Sequence, residues 1–377
     1  MASERGVAVA CNSVRDELLA VWTDSSSPPA RNMGRRARHD GRAPGSAFAG
    51  APANGNGCGS SAVAYDRVHD WSYVVHSCDD YDDGTDWDLR GIFMRWDGVR
   101  LTSESIIADT AANEPVAQVA FPAASEKWLA TRPAGTSPPK IRVRLVGSPT
   151  ADAITIADSG ASSDVPWQPW GDDFRVAHHR NRDSFGKLVS ANGVIGCETT
   201  IAVWSTCEQL SRVASCKSHQ FLVVWQNGAD DSAFDTDAYD RFLLGNGGFW
   251  LDPLQCAWSV YRDEAPDVTC LHGGIDYWVA LDQERDPWPA SPPGELDAAR
   301  VRSTGVVSPS FVAKPPSGAA FDRSAAVAGA RISRPVAADG WMDPVADNVD
   351  IYGRVAWQLF GDSFEWGSTS AWGSHVP

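Results

Sequence analysis

Long apolar runs are missing from this sequence, since no stretch approaches the roughly 20 residues of a membrane-spanning helix. The first 14 residues have no basic start followed by an apolar core, so they do not resemble a signal peptide. Positive charge is also scarce, because 32 Lys and Arg stand against 48 Asp and Glu, a net charge of −16. Binding to nucleic acid or to an anionic membrane surface relies on clustered Lys and Arg. We therefore expect no nucleic-acid partner and no membrane insertion.

The common motifs for catalysis and cofactor binding are absent as well. The sequence has no G-x-x-x-x-G-K-[ST] phosphate loop, no strand–GxGxxG–helix unit and no G-x-S-x-G nucleophile elbow. None of the eight cysteines forms a C-x-x-C pair, which disfavours a zinc ribbon or a thioredoxin-like site. The missing motifs favour a protein that is not an enzyme.

Cysteine spacing nevertheless allows disulfide bridges. Cys58 and Cys78 are close enough in sequence to bridge neighbouring strands or loops, and so are Cys197 and Cys207. Bridges persist in oxidising compartments, and the alternative is that these residues are buried free thiols. Lysine is scarce, whereas Trp, Gly, Asp and Ser are abundant. We interpret this composition as that of a mature extracellular or cell-surface protein without its signal peptide.

The sequence does contain a repeated unit of about 50 residues. In its clearest copy, 212–244, a short apolar strand and a polar turn precede Phe-Leu-Val-Val-Trp at 221–225. An Asp-rich loop and a strand around 239–242 follow. The second strand recurs at 17–22, 71–76, 127–131, 173–178, 221–225, 276–281 and 334–338, and the last copy is the weakest.

Tight turns complete the repeat. Asn-Gly and Asp-Gly pairs are strong hairpin signals. Gly-containing pairs follow the third strands at 40–41, 97–98, 192–193, 246–247 and 304–305. Each repeat therefore predicts two strands, an Asp-rich loop, a third strand, a turn and a fourth strand. The segments are rich in β-branched and aromatic residues and lack a helical period, so helices are not expected.

Repeated four-stranded meanders predict an all-β fold, a seven-bladed β-propeller of four-stranded antiparallel blades. A β-solenoid is disfavoured because its coils take only about 20 to 30 residues. We expect one domain, 1–377, with blades at 5–58, 59–113, 114–162, 163–210, 211–264, 265–322 and 323–377. The third and seventh repeats are degenerate, so six or eight blades stay open. The ring would close by side-chain packing, or one end would pair with another subunit.

The repeat resembles a type found in secreted bacterial and archaeal β-propeller proteins. The matching segments are Ala-Val-Ala-Tyr at 62–65, Phe-Leu-Val-Val-Trp at 221–225 and Asp-Ile-Tyr-Gly-Arg at 350–354. They correspond to the V-A-Y, Y-L-V-V-W and D-I-Y-G-R-R-V parts of that repeat, which D-G follows. The resemblance covers nearly the whole chain. It implies an extracellular propeller, and it assigns no catalytic residue.

Loops between second and third strands hold the candidate metal ligands. Alternating carboxylates suit Ca²⁺, a hard cation that takes about six to eight oxygen ligands. The expected cofactor is therefore Ca²⁺, with the ligands Asp80, Asp82, Asp86, Asp231, Asp235 and Asp237. No Glu completes an EF-hand pattern. The alternative is a solvated acidic loop whose Asp side chains form Asx-turns.

Two histidines follow the repeat rather than a site pattern. His76 and His178 fall at the position that Trp22 and Trp225 occupy in other repeats. We interpret both as partly buried packing positions, not as metal ligands or catalytic bases.

Long loops in one slot of the repeat would emerge from one face of a propeller, and loops on a rigid scaffold commonly carry function. We expect a non-enzymatic extracellular scaffold or interaction propeller, such as a subunit of a cell-surface or filamentous assembly. Its partners would be other protein subunits, including copies of itself, or surface glycans. The alternatives are a carbohydrate-binding, lectin-like propeller, and a glycosidase or polysaccharide lyase.

Overall fold

A computed structural model describes most of the chain, and its described residues form β-strands and turns with no helix among them. The described ranges are 4–24, 29–38, 45–50, 57–79, 87–110, 114, 118–121, 126–135, 139–147, 153–160, 163–168, 172–204, 207–216, 220–228, 236–257, 262–270, 276–284, 295–308, 311–314, 326–329, 336–345 and 348–357.

Six sheets, here called blades 1 to 6, each run outward from a first strand to a fourth. Blade 1 contains β1 (Glu4–Asn12), β2 (Glu17–Asp24), β3 (Arg31–Arg38) and β4 (Phe48–Ala49). Blade 2 contains β5 (Cys58–Asp66), β6 (Trp71–Asp79), β7 (Trp87–Arg95) and β8 (Ser105–Ala108). Blade 3 contains β9 (Gln118–Ala120), β10 (Trp128–Ala134), β11 (Lys140–Val146) and β12 (Ile154–Ala157).

The next sheets follow the same order. Blade 4 contains β13 (Ser163–Asp164), β14 (Trp167–Gln168), β15 (Asp173–Arg180), β16 (Asp183–Ser190) and β17 (Ile195–Ala202), its first strand being split into β13 and β14. Blade 5 contains β18 (Cys207–Ser215), β19 (Gln220–Gly228), β20 (Thr236–Leu244) and β21 (Leu254–Ala257). Blade 6 contains β22 (Arg262–Cys270), β23 (Asp276–Glu284), β24 (Glu295–Arg302) and β25 (Phe311–Lys314).

The structure confirms an all-β propeller of four-stranded antiparallel blades, but it shows six such blades, so the predicted count of seven is wrong. The seventh repeat forms a three-stranded sheet, here called the C-terminal sheet. Its strands are β26 (Val327–Gly329), β27 (Val336–Val345) and β28 (Asn348–Trp357). This repeat is the weakest copy in the sequence, so its pattern did not fix whether a fourth strand completes it. Residues 358–377, where a fourth strand was expected, lie outside the described ranges.

The C-terminal sheet closes the ring between blade 6 and blade 1. Its strand β26 contacts β22 on one side and β1 on the other. Leu18 and Ala328 are both buried in one apolar cluster at the junction with blade 1. No strand of blade 1 pairs with the C-terminal sheet in the described part of the chain. The ring therefore closes by side-chain packing, which is one of the two modes of closure that the sequence left open.

Apolar side chains between neighbouring blades form the core. The cluster between blades 5 and 6 includes Leu222 and Val224 from one second strand and Tyr277 and Val279 from the next. Second strands are buried on both faces, as the unbroken apolar run at 221–225 predicted, and all five side chains there are 0% exposed. Burying each large apolar side chain contributes about 1.5–3 kcal/mol. Sheet-on-sheet contact is therefore the main source of stability.

The predicted tight turns are present at the ends of four third strands. Gly98, Gly193, Gly247 and Gly305 all have positive φ, between 81° and 89°. Their backbone N–H groups donate to carbonyls three residues earlier, as Gly98 does to Arg95 at 2.9 Å. Glycine adopts this left-handed backbone without a steric penalty, which explains its recurrence.

A cationic side chain on the third strand joins three pairs of blades. Arg144 of blade 3, Lys187 of blade 4 and Arg241 of blade 5 occupy equivalent positions. Their side chains donate to the carbonyls of Ile107, Ile156 and Ile201, each on the fourth strand of the preceding blade. A basic residue at this third-strand position thus links neighbouring blades, a role that the repeat alone did not reveal.

Gly91 on β7 precedes this position by one residue and lies under the ring of Tyr73 on β6. A Cβ atom at Gly91 would overlap the Tyr73 hydroxyl and ring. At the equivalent Gly186 of blade 4, the nearest atom to a Cβ would be Ile201 Cδ1 at 3.2 Å, followed by Arg175 Cδ at an ordinary contact distance of 3.6 Å.

We expect Gly91→Ala to lower the free energy of unfolding by about 1–3 kcal/mol, because the added methyl overpacks a closed interface. The matched control is Gly186→Ala, where a flexible Ile terminus can move, and we expect a clearly smaller loss. Chemical denaturation of both variants measures the difference. Equal losses of unfolding free energy in the two variants would show that the close contact between Gly91 and Tyr73 does not cause the destabilisation.

Asp240 takes the place of this glycine in blade 5. It is fully buried on the face of β20 that packs against blade 6, between Ala238 and Phe242. Neither carboxylate oxygen has a hydrogen-bond partner among the described residues. Burial raises the pKa of Asp240 to about 8, so the folded protein keeps this group neutral at pH 7.

This burial predicts a pH-dependent stability. The unfolded chain releases the Asp240 proton near pH 3.8 and the folded chain near pH 8, so stability falls as pH rises between these values. The slope from this one group is at most about 1.4 kcal/mol per pH unit. We expect Asp240→Asn to be more stable than the wild type at pH 8 and to lose that advantage at pH 5. Denaturation of both proteins, with the exposed Asp252→Asn as the control, tests the assignment.

Candidate functional site

Strand order gives the propeller two different faces. In every blade the first-to-second and third-to-fourth connections lie at the same end of the strands, which we call the turn face. Second-to-third connections lie at the opposite end, which we call the loop face. Contacts between blades confirm this arrangement, since Lys127, before β10, donates to the carbonyl of Ala191, after β16, at 3.2 Å.

Of the six predicted calcium ligands, the structure describes one. Asp237 is half-buried on β20, the third strand of blade 5. The other five, Asp80, Asp82, Asp86, Asp231 and Asp235, lie outside the described residues. The structure therefore does not test this ligand set, and calcium binding stays a prediction.

Exposed apolar side chains concentrate on the turn face. Among the described residues eleven large hydrophobic side chains are exposed, and eight of them lie in its turns. The eight are Val14, Val68, Val99, Leu101, Val194, Phe249, Trp250 and Val306. Large contiguous apolar patches mark interaction surfaces, and four of the eight, Val14, Val68, Val99 and Leu101, lie in the turns of the neighbouring blades 1 and 2.

Asp70 organises the turns of blades 1 and 2. It has a positive φ of 58° at the last position of the β5–β6 turn. Its carboxylate accepts hydrogen bonds from Asn12 Nδ2 at 2.9 Å, Arg15 Nε at 2.8 Å and Tyr65 Oη at 2.9 Å. The Arg15 guanidinium also stacks 3.7 Å above the Trp96 ring. These contacts hold the two turns against each other.

Charged side chains surround the exposed valines of blades 1 and 2. In each of three ion pairs the Arg side chain is more exposed than its carboxylate partner. In the first pair the Arg15 side chain is 37% exposed and that of Asp70 is 22% exposed. The others are Arg38–Glu17 with 55% against 12% and Arg95–Asp97 with 46% against 23%. Arg67 and Arg100 are exposed as well. This part of the turn face is therefore cationic at its surface, although the whole chain is acidic.

A cavity of about 420 Å³ opens at the centre of the turn face. The ends of the first strands of all six blades line it, so it is the mouth of the central channel. Its wall combines the aromatic rings of Tyr65 and Phe121 with Ser13, Ser215 and the guanidinium-bearing Arg67. Burial, together with the hydrogen bond to Asp70, raises the pKa of Tyr65, so its hydroxyl stays protonated.

Two disulfides are present among the described residues. Cys58 pairs with Cys78 across β5 and β6, as predicted. Cys197 is a free, exposed thiol, so the predicted bridge to Cys207 is wrong. Cys216 instead pairs with Cys270, 54 residues away, and joins the ends of first strands in blades 5 and 6 beside the cavity. Sequence spacing missed this bridge because only the ring brings those two strand ends together.

The two histidines that the repeat assigned to packing positions are both fully buried, and each faces a glutamate. In blade 2, His76 Nε2 lies 2.5 Å from Glu104 Oε1, and Arg90 donates to the same carboxylate at 3.2 Å. Desolvation favours the neutral acid, but the bonds from His76 and Arg90 outweigh it and hold the pKa of Glu104 below its usual value.

Blade 4 repeats the pair with different neighbours. His178 Nε2 lies 3.7 Å from Glu198 Oε2, which Arg180 and Lys187 also approach. Burial lowers the pKa of His178 to about 4, so this imidazole is neutral at pH 7. In strand register, Glu104 and Glu198 are equivalent positions. The His–Glu pair is thus part of the repeat in two blades.

Comparison with known proteins defines this chain as a β-propeller and goes no further than the fold. No protein-family model and no curated protein matches the sequence. Among solved structures, the BP39L lectin from Burkholderia pseudomallei is similar with a TM-score of 0.61 and 13% identity over 93% of this chain and 97% of that one.

Two further structures show the same fold. A protein of unknown function from Dyadobacter fermentans aligns with a TM-score of 0.55 and 8% identity over 79% of this chain and 94% of that one. A chain of a mitotic checkpoint complex aligns with a TM-score of 0.54 and 10% identity over 93% and 90%. In the described residues no helix is long and apolar enough to cross a membrane.

Proposed function

We propose that this protein is a non-enzymatic extracellular interaction propeller that assembles with copies of itself in a cell-surface or filamentous structure. The concentration of exposed apolar side chains on the turn face carries the proposal. A second copy is the occupant that fits, because the two faces of the molecule differ in charge. The two disulfides support an oxidising compartment.

Charge complementarity favours head-to-tail contact. The turn face of blades 1 and 2 presents exposed Arg67 and Arg100 among its valines. At the loop face of blade 2, β6 ends and β7 begins, and the sequence between them, 80–86, contains four Asp. A cationic, apolar face that meets the acidic face of the next copy makes a heterologous contact. Such contacts build open chains when the rotation between copies does not close a ring.

We expect the wild type to form linear oligomers that lengthen with concentration and shorten at high salt, because salt screens exposed charges. Val68→Asp and Val99→Asp should each give monomers. The matched control is Ile106→Asp, since Ile106 is equally exposed at 53% but lies on the outer strand β8. Sedimentation velocity measures the sizes, and electron microscopy shows whether the oligomers are linear.

Mixing distinguishes head-to-tail contact from a symmetric dimer. A loop-face variant with Asp80, Asp82, Asp83 and Asp86 changed to Asn should be monomeric alone. Mixed with Val68→Asp, it should form one-to-one dimers and nothing larger, because each variant keeps one working face. A wild type that stays monomeric at every concentration would contradict the proposal, and so would mixed variants that do not combine.

Carbohydrate binding is the second candidate, and the central cavity favours it. A cavity of about 420 Å³ has room for a small ligand, and Tyr65 and Phe121 offer aromatic surfaces on which a sugar ring can stack. We expect Phe121→Ala to abolish any signal on a glycan array. The control is Trp250→Ala, which should leave the signal unchanged because Trp250 is exposed in the β20–β21 turn and does not line the cavity. Arrays with and without Ca²⁺ also test the predicted calcium loops. A signal that survives Phe121→Ala would place the sugar elsewhere.

A further inference from the structure

Blade 2 contains a cluster of three types of metal-ligating group next to its disulfide. His76, Cys78 and Glu104 each offer a ligand atom, and these atoms lie within 4.8 Å of one another. Cys58 is bonded to Cys78, so its sulfur belongs to the same cluster. His76 and Cys78 are two residues apart on β6 and therefore point to the same side of the sheet.

The surroundings of the cluster suit a metal ion rather than solvent. His76 is 0%, Cys58 4% and Cys78 5% exposed, so water has little access. His76 Nδ1 is buried without a hydrogen-bond partner among the residues that the structure describes. Arg90 donates to Glu104 and would orient that carboxylate, as outer partners of metal ligands commonly do.

The chemistry of the donors identifies the class of metal. Two thiolates, an imidazole and a carboxylate are ligands that Zn²⁺ takes in four-coordinate sites. In the disulfide form neither sulfur is a thiolate, so only the imidazole and the carboxylate are available as zinc ligands. A dithiol that reduces the bridge transfers two electrons and two protons to it, becomes a disulfide itself and leaves two thiols. Metal binding then displaces the two thiol protons into solvent.

We propose that the reduced form of blade 2 binds one zinc ion through Cys58, Cys78, His76 and Glu104, and that the Cys58–Cys78 disulfide prevents this binding. The two states differ in whether the sulfurs are bonded to each other or to the metal. The site lies between blades 1 and 2, where Val74 on the same side of β6 packs against Val21. Oxidation state would therefore set the metal content of this interface.

Blade 4 supplies the internal comparison. His178 and Glu198 repeat the pair, but Arg180 stands where blade 2 has Cys78, two residues after the histidine. Arg180 and Lys187 neutralise Glu198, and no sulfur is available on that strand. The repeat therefore explains the His–Glu pair in both blades, whereas the cysteine pair distinguishes the blade 2 site.

Cobalt is a suitable probe because a tetrahedral thiolate site gives it visible bands and a sulfur-to-cobalt charge-transfer band. The protein is reduced with a phosphine, freed of it without oxygen, and titrated with Co²⁺ and then Zn²⁺. We expect one tightly bound ion per chain in the reduced form and none in the oxidised form. His76→Gln should weaken binding by at least about tenfold, and His178→Gln should leave it unchanged.

Cysteine variants separate the two disulfides. The double change of Cys58→Ser and Cys78→Ser should abolish the charge-transfer band, while that of Cys216→Ser and Cys270→Ser should keep it. Should the first of these variants fail to fold, His76→Gln folds with its disulfide intact and is reduced afterwards, and the melting curve checks its fold. Equal metal binding by the two histidine variants would overturn the proposal, as would a Cys58–Cys78 bridge that stays closed in the folded protein.

Discussion

Packing of each sheet against its two neighbours holds this molecule together. The second strands have no polar face to turn to water, since 221–225 is buried on both sides. Each blade therefore depends on the next, and the last sheet must reach the first. The contact of β26 with β1 satisfies that requirement without strand pairing. Side-chain packing closes the ring, which leaves the strand ends at the two faces free for turns and loops.

Those faces follow from the meander and differ in chemistry. The turn face is compact because its turns interlock through Asp70, Arg15 and Trp96, and it still exposes a set of valines with arginines between them. In the sequence, connections between second and third strands are acidic in blades 2 and 5. Such asymmetry suits contact between unlike faces of successive copies, whereas two like faces would oppose charges of the same sign.

Polar groups buried between the blades show where the repeat has been modified. Asp240 replaces a glycine and stays neutral because no partner compensates for its charge. His76 and His178 replace a tryptophan and meet a glutamate of their own blade, Glu104 just before the fourth strand and Glu198 on it. In blade 2 a cysteine pair joins that arrangement. Each change departs from the repeat at a position where solvent cannot reach, so the buried group either meets a partner within the protein, as the histidines do, or stays neutral, as Asp240 does.

The sequence by itself determined the strand order, the hairpin turns at Gly98, Gly193, Gly247 and Gly305 and the propeller architecture, because all of these depend on local spacing and periodicity. It did not determine the number of complete blades, since the last repeat is degenerate, and it left Cys58 and Cys78 open between a bridge and free thiols. Only the tertiary structure decided that Cys216 meets Cys270, that Glu104 faces His76 and that five of the six exposed valines among the described residues share one face. These contacts join residues from different strands or blades, and their distances depend on how the sheets are arranged in the ring.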